Sequence, residues 1–276
     1  MLSINSNVPA LFAANSLNSI SNQLQELTTH IASGKRIMTA ADDPAGMGIL
    51  SSLKSQFSSY SAVTKNLAAG QSLLNVASSS LSAQQTTLAK MKGLATQAAS
   101  DLLSANDRDA LQASFLQLQN ELDDTVNKAS MFGQNLTSSA GADVNIQSGI
   151  NAGDTTTITA AKSDSTTLGL ASTGTGAIDL TDAANSSDAM DAIDAAIGTV
   201  STNQATIGAQ QNLLKNASDY TAQVSLNTKS AISSIEDLNV AEASSQLTLL
   251  QTQQQLAVAV LGVINSLPQS SLNLIR

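Results

Sequence analysis

YSAVTKNLAAGQSLLNVASSSLSAQQTTLAKMKGLATQAASDL, residues 60–102, is the stretch whose reading decides the fold. A regular series runs through it: Tyr60, Val63, Leu67, Gly70, Leu74, Ala77, Leu81, Gln84, Leu88, Met91, Ala95, Ala98 and Leu102, in alternating steps of three and four. Such steps average 3.5 residues and keep one stripe of an α-helix facing a partner helix. At 1.5 Å per residue the stretch predicts a helix roughly 60 Å long, an element of a rod rather than of a globule.

Working outward, Ser104-Ala-Asn106-Asp107 reads as a break with an N-cap. A third helix then carries Leu111, Phe115, Leu118, Leu122 and Val126 on one face. Past Phe132-Gly133 the chain becomes rich in Ser, Thr, Gly, Ala and Asp over residues 137–188. Val144–Gln147 and Thr155–Thr159 read as short strands joined by the turn Ser148–Asp154. The remainder of 137–188 is expected to be mobile connection around a small, surface-exposed β tip. Helical spacing returns with Met190, Ile193, Ile197, Val200, Ile207 and Leu214, then Val224, Ile232, Ile235 and Leu238.

The two ends mirror each other. Ala10, Ala13, Leu17, Ile20, Leu24, Leu27 and Ile31 form one heptad seam, with Pro9 near its start and Gly34 as its stop. Leu249, Gln253, Leu256, Val260, Val263 and Leu267 form another, with Pro268 expected to end it. Residues 1–34 contain one charged side chain, Glu26, and residues 238–276 only Glu242 and Arg276. Two uncharged seams at opposite ends of one chain are expected to pair. The fold class is therefore mainly α, an elongated rod of long antiparallel heptad helices with a small β-hairpin mid-chain. The expected division is 1–42 with 237–276 as an inner coiled-coil domain, 43–136 with 189–236 as a helical rod domain, and 137–188 as the tip.

The 276 residues carry 21 Asp+Glu against 12 Lys+Arg, a formal charge of -9. An acidic chain without a basic run suits neither nucleic acid nor an anionic membrane surface. Leu256–Ile264 is the longest strongly apolar run and is too short to span a bilayer, so no membrane insertion is expected. No h-region precedes the first cation, Lys35, so no cleaved secretory signal is expected. With no cysteine, disulfides and thiolate sites are excluded.

Enzymatic readings fail on their own terms. SGKRIMTAADDPAGMGI, residues 33–49, holds a Gly-Lys pair and two adjacent aspartates. A phosphate loop needs a glycine five residues earlier and Ser or Thr after the lysine; here Thr29 and Arg36 stand there. Asp42-Asp43 has no further acidic cluster near in sequence, and Asp43 with Pro44 reads as N-cap and first helical residue. His30, the single histidine, reads as a polar residue on a helix flank. Residues 173–179 hold one glycine-rich calcium-type motif where that architecture needs tandem copies. No catalytic residue, cofactor or metal is expected. Gly34, Lys35, Arg36, Asp42, Asp43 and Pro44 read instead as a joint between two helices. Whether its charged residues pair within one chain or between chains stays open.

These motifs carry a resemblance. Residues 33–49 resemble the signature Ser-Gly-x-Arg-Ile, spacer, Ala-x-Asp-Asp-x-Ala-Gly of the bacterial flagellin family. LAKMKGLATQAAS (88–100), NDRDALQASFLQLQNELDDTVNKASMFGQNL (106–136), VNIQSGINAGDTTTI (144–158) and LPQSSLNLIR (267–276) are similar to further family motifs, in order. The resemblance implies a subunit that self-assembles into the extracellular flagellar filament for swimming motility. It implies terminal helices in the filament core, with Leu17, Ile20, Leu24, Leu27, Ile31, Leu249, Leu256, Val260, Val263 and Leu267 as core-packing residues. Export unfolded through the flagellar type III apparatus is implied too. The implied partners are further copies or other flagellins, a secretion chaperone, hook-filament junction proteins and the filament cap.

Lys90, Lys92, Leu94, Ser114 and Leu118 fall where the family makes rod contacts and where its innate receptor reads many members. Many members carry Arg at Lys90, Glu at Gly93, a carboxylate at Ser114 and Arg near Leu118. These departures predict weak receptor recognition. A hook-filament junction protein, or a secreted binding module or adhesin, is the alternative reading.

Overall fold

The computed structural model describes residues 7–171 and 178–274, with the side chains of the last helix described as far as Ser266. In chain order the elements are α1 (Val8–Ser33), α2 (Pro44–Ala98), α3 (Ala105–Lys128), β1 (Val144–Gln147), β2 (Thr155–Ile158), α4 (Ala183–Glu236) and α5 (Val240–Leu274). The chain forms two compact units, residues 1–57 with 227–276, and residues 58–226. α2 and α4 contribute residues to both, so the division falls inside these helices rather than at their ends. Its physical reason is that the opening turns of α2 belong with the joint: Leu50 is buried there, and Lys54 pairs with Glu236.

In the 58–226 unit the predicted series is the core. Every position of it from Val63 to Ala98 is buried, and Tyr60 is half-buried. Phe115, Leu122 and Val126 of α3 and Ile193, Val200, Ile207 and Leu214 of α4 join the same cluster. Small residues let neighbouring elements approach closely. A Cβ on Gly70 would stand 2.1 Å from Ile146 Cδ1 and 3.1 Å from Leu214 Cδ1. Leu102, predicted as the last member of the series, is 96% exposed. α2 ends four residues earlier, and Arg108 closes that end by donating from Nε to the Ala98 carbonyl (3.0 Å) and from Nη2 to that of Ser100 (2.9 Å). Ser104 then caps α3 in a reciprocal capping box with Asp107.

The hairpin is where it was expected. β1 and β2 pair antiparallel, with Val144 opposite Ile158 and Gln147 opposite Thr155. Period-two alternation turns Val144, Ile146 and Ile158 toward the core. Asp154 organises the turn, accepting from the Ser148 and Gly149 amides through its carbonyl and from the Asn151 amide through its carboxylate.

Among the described residues of 137–188 outside the hairpin, part of the chain packs inward. Thr137, Ala161, Ser163, Ser165, Leu168, Leu170, Ile178 and Leu180 are all buried. Irregular backbone is tolerated there because α3 and α4 supply hydrogen-bond partners. Ser165 N donates to Asp123 Oδ1 at 2.9 Å, and Leu180 N donates to Gln112 Oε1 at 2.8 Å. Gln112 Nε2 donates to the Ile178 carbonyl, Gln119 Nε2 to that of Leu170, and Asn203 Nδ2 to that of Lys162. Most of the glycine-rich 173–179 motif lies outside the described residues.

Candidate assembly interface

The unit built from residues 1–57 and 227–276 holds the residues predicted for assembly. α1 starts with Asn7 accepting from the Ala10 amide at 3.2 Å and stops at Gly34, whose φ of 69° is the left-handed conformation that favours glycine. Ala10, Ala13, Leu17, Ile20, Leu24, Leu27 and Ile31 are all half-buried, along one stripe. That stripe packs on α5, and the pair is antiparallel: Asn7 Nδ2 donates to the Ile264 carbonyl at 3.4 Å, and Gln254 Nε2 donates to Ser21 Oγ at 3.3 Å.

The α5 seam is not the predicted one. Leu247, Leu250, Gln254, Ala257, Leu261 and Ile264 are its half-buried positions. Leu249, Leu256, Val260 and Val263 are 57%, 60%, 51% and 63% exposed. The two series are offset by one residue, about 100° around the helix at 3.6 residues per turn. α5 is apolar over both arcs, so its spacing permits two seams, and the chain itself covers only one. Leu249 sits at the lip of a groove lined with Leu27, His30 and Leu250. Leu267 lies outside the described side chains. α5 also continues past position 268 to Leu274, because a proline removes one i→i−4 hydrogen bond without obliging the helix to end. Val240–Ser266 is long and apolar enough to cross a membrane by length and composition, where the sequence reading took only the shorter run 256–264. Its polar Ser, Thr and Gln positions and its pairing with α1 make it a two-faced packing helix. At the other end of the pair, Val8, Leu11 and Phe12 are exposed as well.

The joint is stitched within the chain. Arg36 N donates to the Glu236 carbonyl at 2.6 Å, and Leu238 N returns to the Gly34 carbonyl at 2.9 Å. Arg36 Nη2 donates to the Ile235 carbonyl at 2.8 Å. Lys35 Nζ and Lys54 Nζ reach the two oxygens of the Glu236 carboxylate at 2.7 and 2.9 Å. The Glu236 side chain is only 8% exposed, and hydrogen bonds from Lys35 and then Lys54 hold its carboxyl below the usual range. The Lys35 ammonium is correspondingly raised, chiefly by its hydrogen bond to Glu236. Asp42 accepts from the Thr39 and Met38 amides, both at 2.8 Å, which lowers its carboxyl. Asp43 Oδ1 accepts from Gly46 N at 2.8 Å as the cap of α2, with Pro44 as the first residue. Glu236, the group that joins these parts, was missed by sequence reasoning. A lone glutamate in a polar helix carries no signal until the fold places two lysines on it.

In the 58–226 unit, Lys92 Nζ meets Asp194 Oδ1 at 2.6 Å. Leu94 and Leu118 are half-buried against the core, while Lys90 and Ser114 are exposed. The Ser114 hydroxyl donates to the Ala110 carbonyl of its own helix.

Comparison with known proteins agrees with this architecture. The bacterial flagellin N-terminal helical region matches residues 4–142, and the bacterial flagellin C-terminal helical region matches residues 190–275. A flagellin of Listeria innocua serovar 6a is 32% identical, with all of both chains covered. A flagellin of Halalkalibacterium halodurans is 30% identical over 99% of each. The crystal structure of Bacillus cereus flagellin superimposes with a TM-score of 0.50 at 30% identity, over 57% of this chain and 88% of that one. Neither the junction-protein nor the adhesin reading is favoured by these matches. The chain belongs to the bacterial flagellin family, structural and non-enzymatic subunits of the extracellular flagellar filament.

Proposed function

We propose that this chain polymerises by burying the uncovered arc of α5 against neighbouring copies. The observation that supports it is the row Leu249, Leu256, Val260 and Val263, exposed although α5 already has a partner in α1. An exposed row that is mostly apolar, on a structural protein, needs a cover. Contacts between different faces of successive copies do not close, and they generate a helical polymer. Residues 1–42 and 237–276 then form the inner layer and the rod helices the next. Lys90, Lys92, Leu94, Ser114 and Leu118 lie among the lateral contacts of the rod. The chain is exported unfolded, with a chaperone on α5, and meets junction proteins at the filament base and a cap at its tip. Ser114 and Gly93 in place of carboxylates make its recognition by the flagellin receptor weak, and full potency in a cell-based receptor assay would overturn that point.

Two substitutions separate the arcs. Leu24→Asn strikes the α1 seam at a cost of roughly 2–5 kcal/mol. Leu256→Asn leaves the isolated chain near its normal stability and acts on assembly. Seeded polymerisation followed by electron microscopy is expected to give long filaments from the natural chain and none from either variant, with the 58–226 unit still folded. Normal filaments from both variants would refute the reading.

A further inference from the structure

We propose that Glu26, His30 and Asp42 form a site for a divalent transition-metal ion of the zinc class. The fold brings together what the sequence keeps apart. Glu26 and His30 stand four residues apart on one face of α1, and Asp42 arrives from the loop that leads into α2. One ligand atom from each lies within 4.8 Å of the other two. A tetrahedral ion with bonds of ~2.0–2.1 Å places its donors ~3.3 Å apart. The closure needed is ~1.5 Å, within the reach of the exposed Glu26 side chain.

Two arrangements outside the triad prepare its members. His30 Nδ1 lies 2.9 Å from the Lys35 carbonyl. A carbonyl only accepts, so Nδ1 donates and Nε2 is the ring nitrogen left to meet a metal. A backbone carbonyl on the second ring nitrogen is the usual outer partner of a metal-binding histidine. The Met38 and Thr39 amides fix Asp42 in place, and a carboxylate with about four lone-pair positions retains capacity for an ion. The cations nearest in sequence are engaged elsewhere, Lys35 on Glu236 and Arg36 on the Ile235 carbonyl. Among the described residues no ion pair neutralises Glu26 or Asp42. An imidazole nitrogen beside two carboxylate oxygens favours zinc over magnesium or calcium, which prefer oxygen throughout. Water completes the coordination. A bound ion would tie the last turns of α1 to the loop into α2 and so stiffen the joint.

The test uses filaments stripped with chelator and equilibrated with zinc chloride, with or without excess magnesium, the bound metal being counted by mass spectrometry. The expected result is saturable binding of a single zinc ion per subunit that magnesium does not displace. Glu26→Gln, His30→Gln and Asp42→Asn should each weaken it by ~10–100-fold. Asp42→Asn retains an acceptor for the two amides, and Glu26→Gln changes an exposed helix position, so at least these variants keep the fold. Zinc binding that is absent, displaced by magnesium, or undiminished in the variants overturns the proposal. Filament formation is scored separately by microscopy, so a filament without zinc removes this inference and leaves the assembly reading standing.

Discussion

Glu236→Gln is the substitution that interrogates the joint most sharply. The glutamine keeps the shape and one acceptor but removes the charge that Lys35 and Lys54 share. Hydrogen bonds to a charged group contribute about 1.5–3 kcal/mol each when buried. Here the carboxylate is buried but both lysine side chains are about half exposed, 49% and 48%, so solvent screening reduces the sum. A loss of about 1–2 kcal/mol follows. The local reporters are the amides of Arg36 and Leu238, which donate across the joint. At 1.4 kcal/mol per tenfold, their hydrogen exchange in assembled filaments should quicken by about 5–30-fold. The pH dependence has a fixed sign. The Glu236 carboxyl is lowered in the folded chain, so its contribution is complete above the unfolded value of 4.5 and is lost as pH falls through the lower folded value. The ratio of variant to natural exchange rates should therefore hold at pH 7 and shrink toward one at strongly acid pH. Equal rates at pH 7, or a ratio unchanged in acid, would refute the reasoning.

Other outcomes follow from single positions. Leu81 is fully buried in the 58–226 core, so Leu81→Ala should cost about 2–5 kcal/mol and lower that unit's calorimetric Tm by about 5–15 °C. Gly34→Ala meets no atom within 4 Å, so its cost is backbone strain alone, about 1 kcal/mol, read as roughly fivefold faster amide exchange in the last turn of α1.

How far the sequence reaches can be argued residue by residue. Val63 to Ala98 was legible because one stripe of a helix buried along its length must repeat in steps of three and four, and that helix has a single apolar arc. The α1 seam was legible for the same reason. α5 misled because it is apolar on two arcs, and spacing alone does not say which one an intrachain partner takes. Residues 160–171 and 178–180 read as mobile connection because their hydrogen bonds go to Gln112, Gln119 and Asp123, amides and a carboxylate of α3 that satisfy irregular backbone from a distance in sequence. The same limit hid Glu236 and the approach of Asp42 to Glu26 and His30. Each is a meeting of single residues across a turn or across the chain, with no periodicity to announce it.

The central claim is that the exposed arc of α5 is covered by neighbouring subunits. The chain contains no cysteine, so Leu256→Cys introduces a unique thiol on that arc. Its maleimide labelling rate, measured on dissociated subunits and on the filaments they form, tests the claim directly. The account predicts prompt labelling of the subunit and strong protection in the filament. A thiol that labels at the same rate in both states would contradict it.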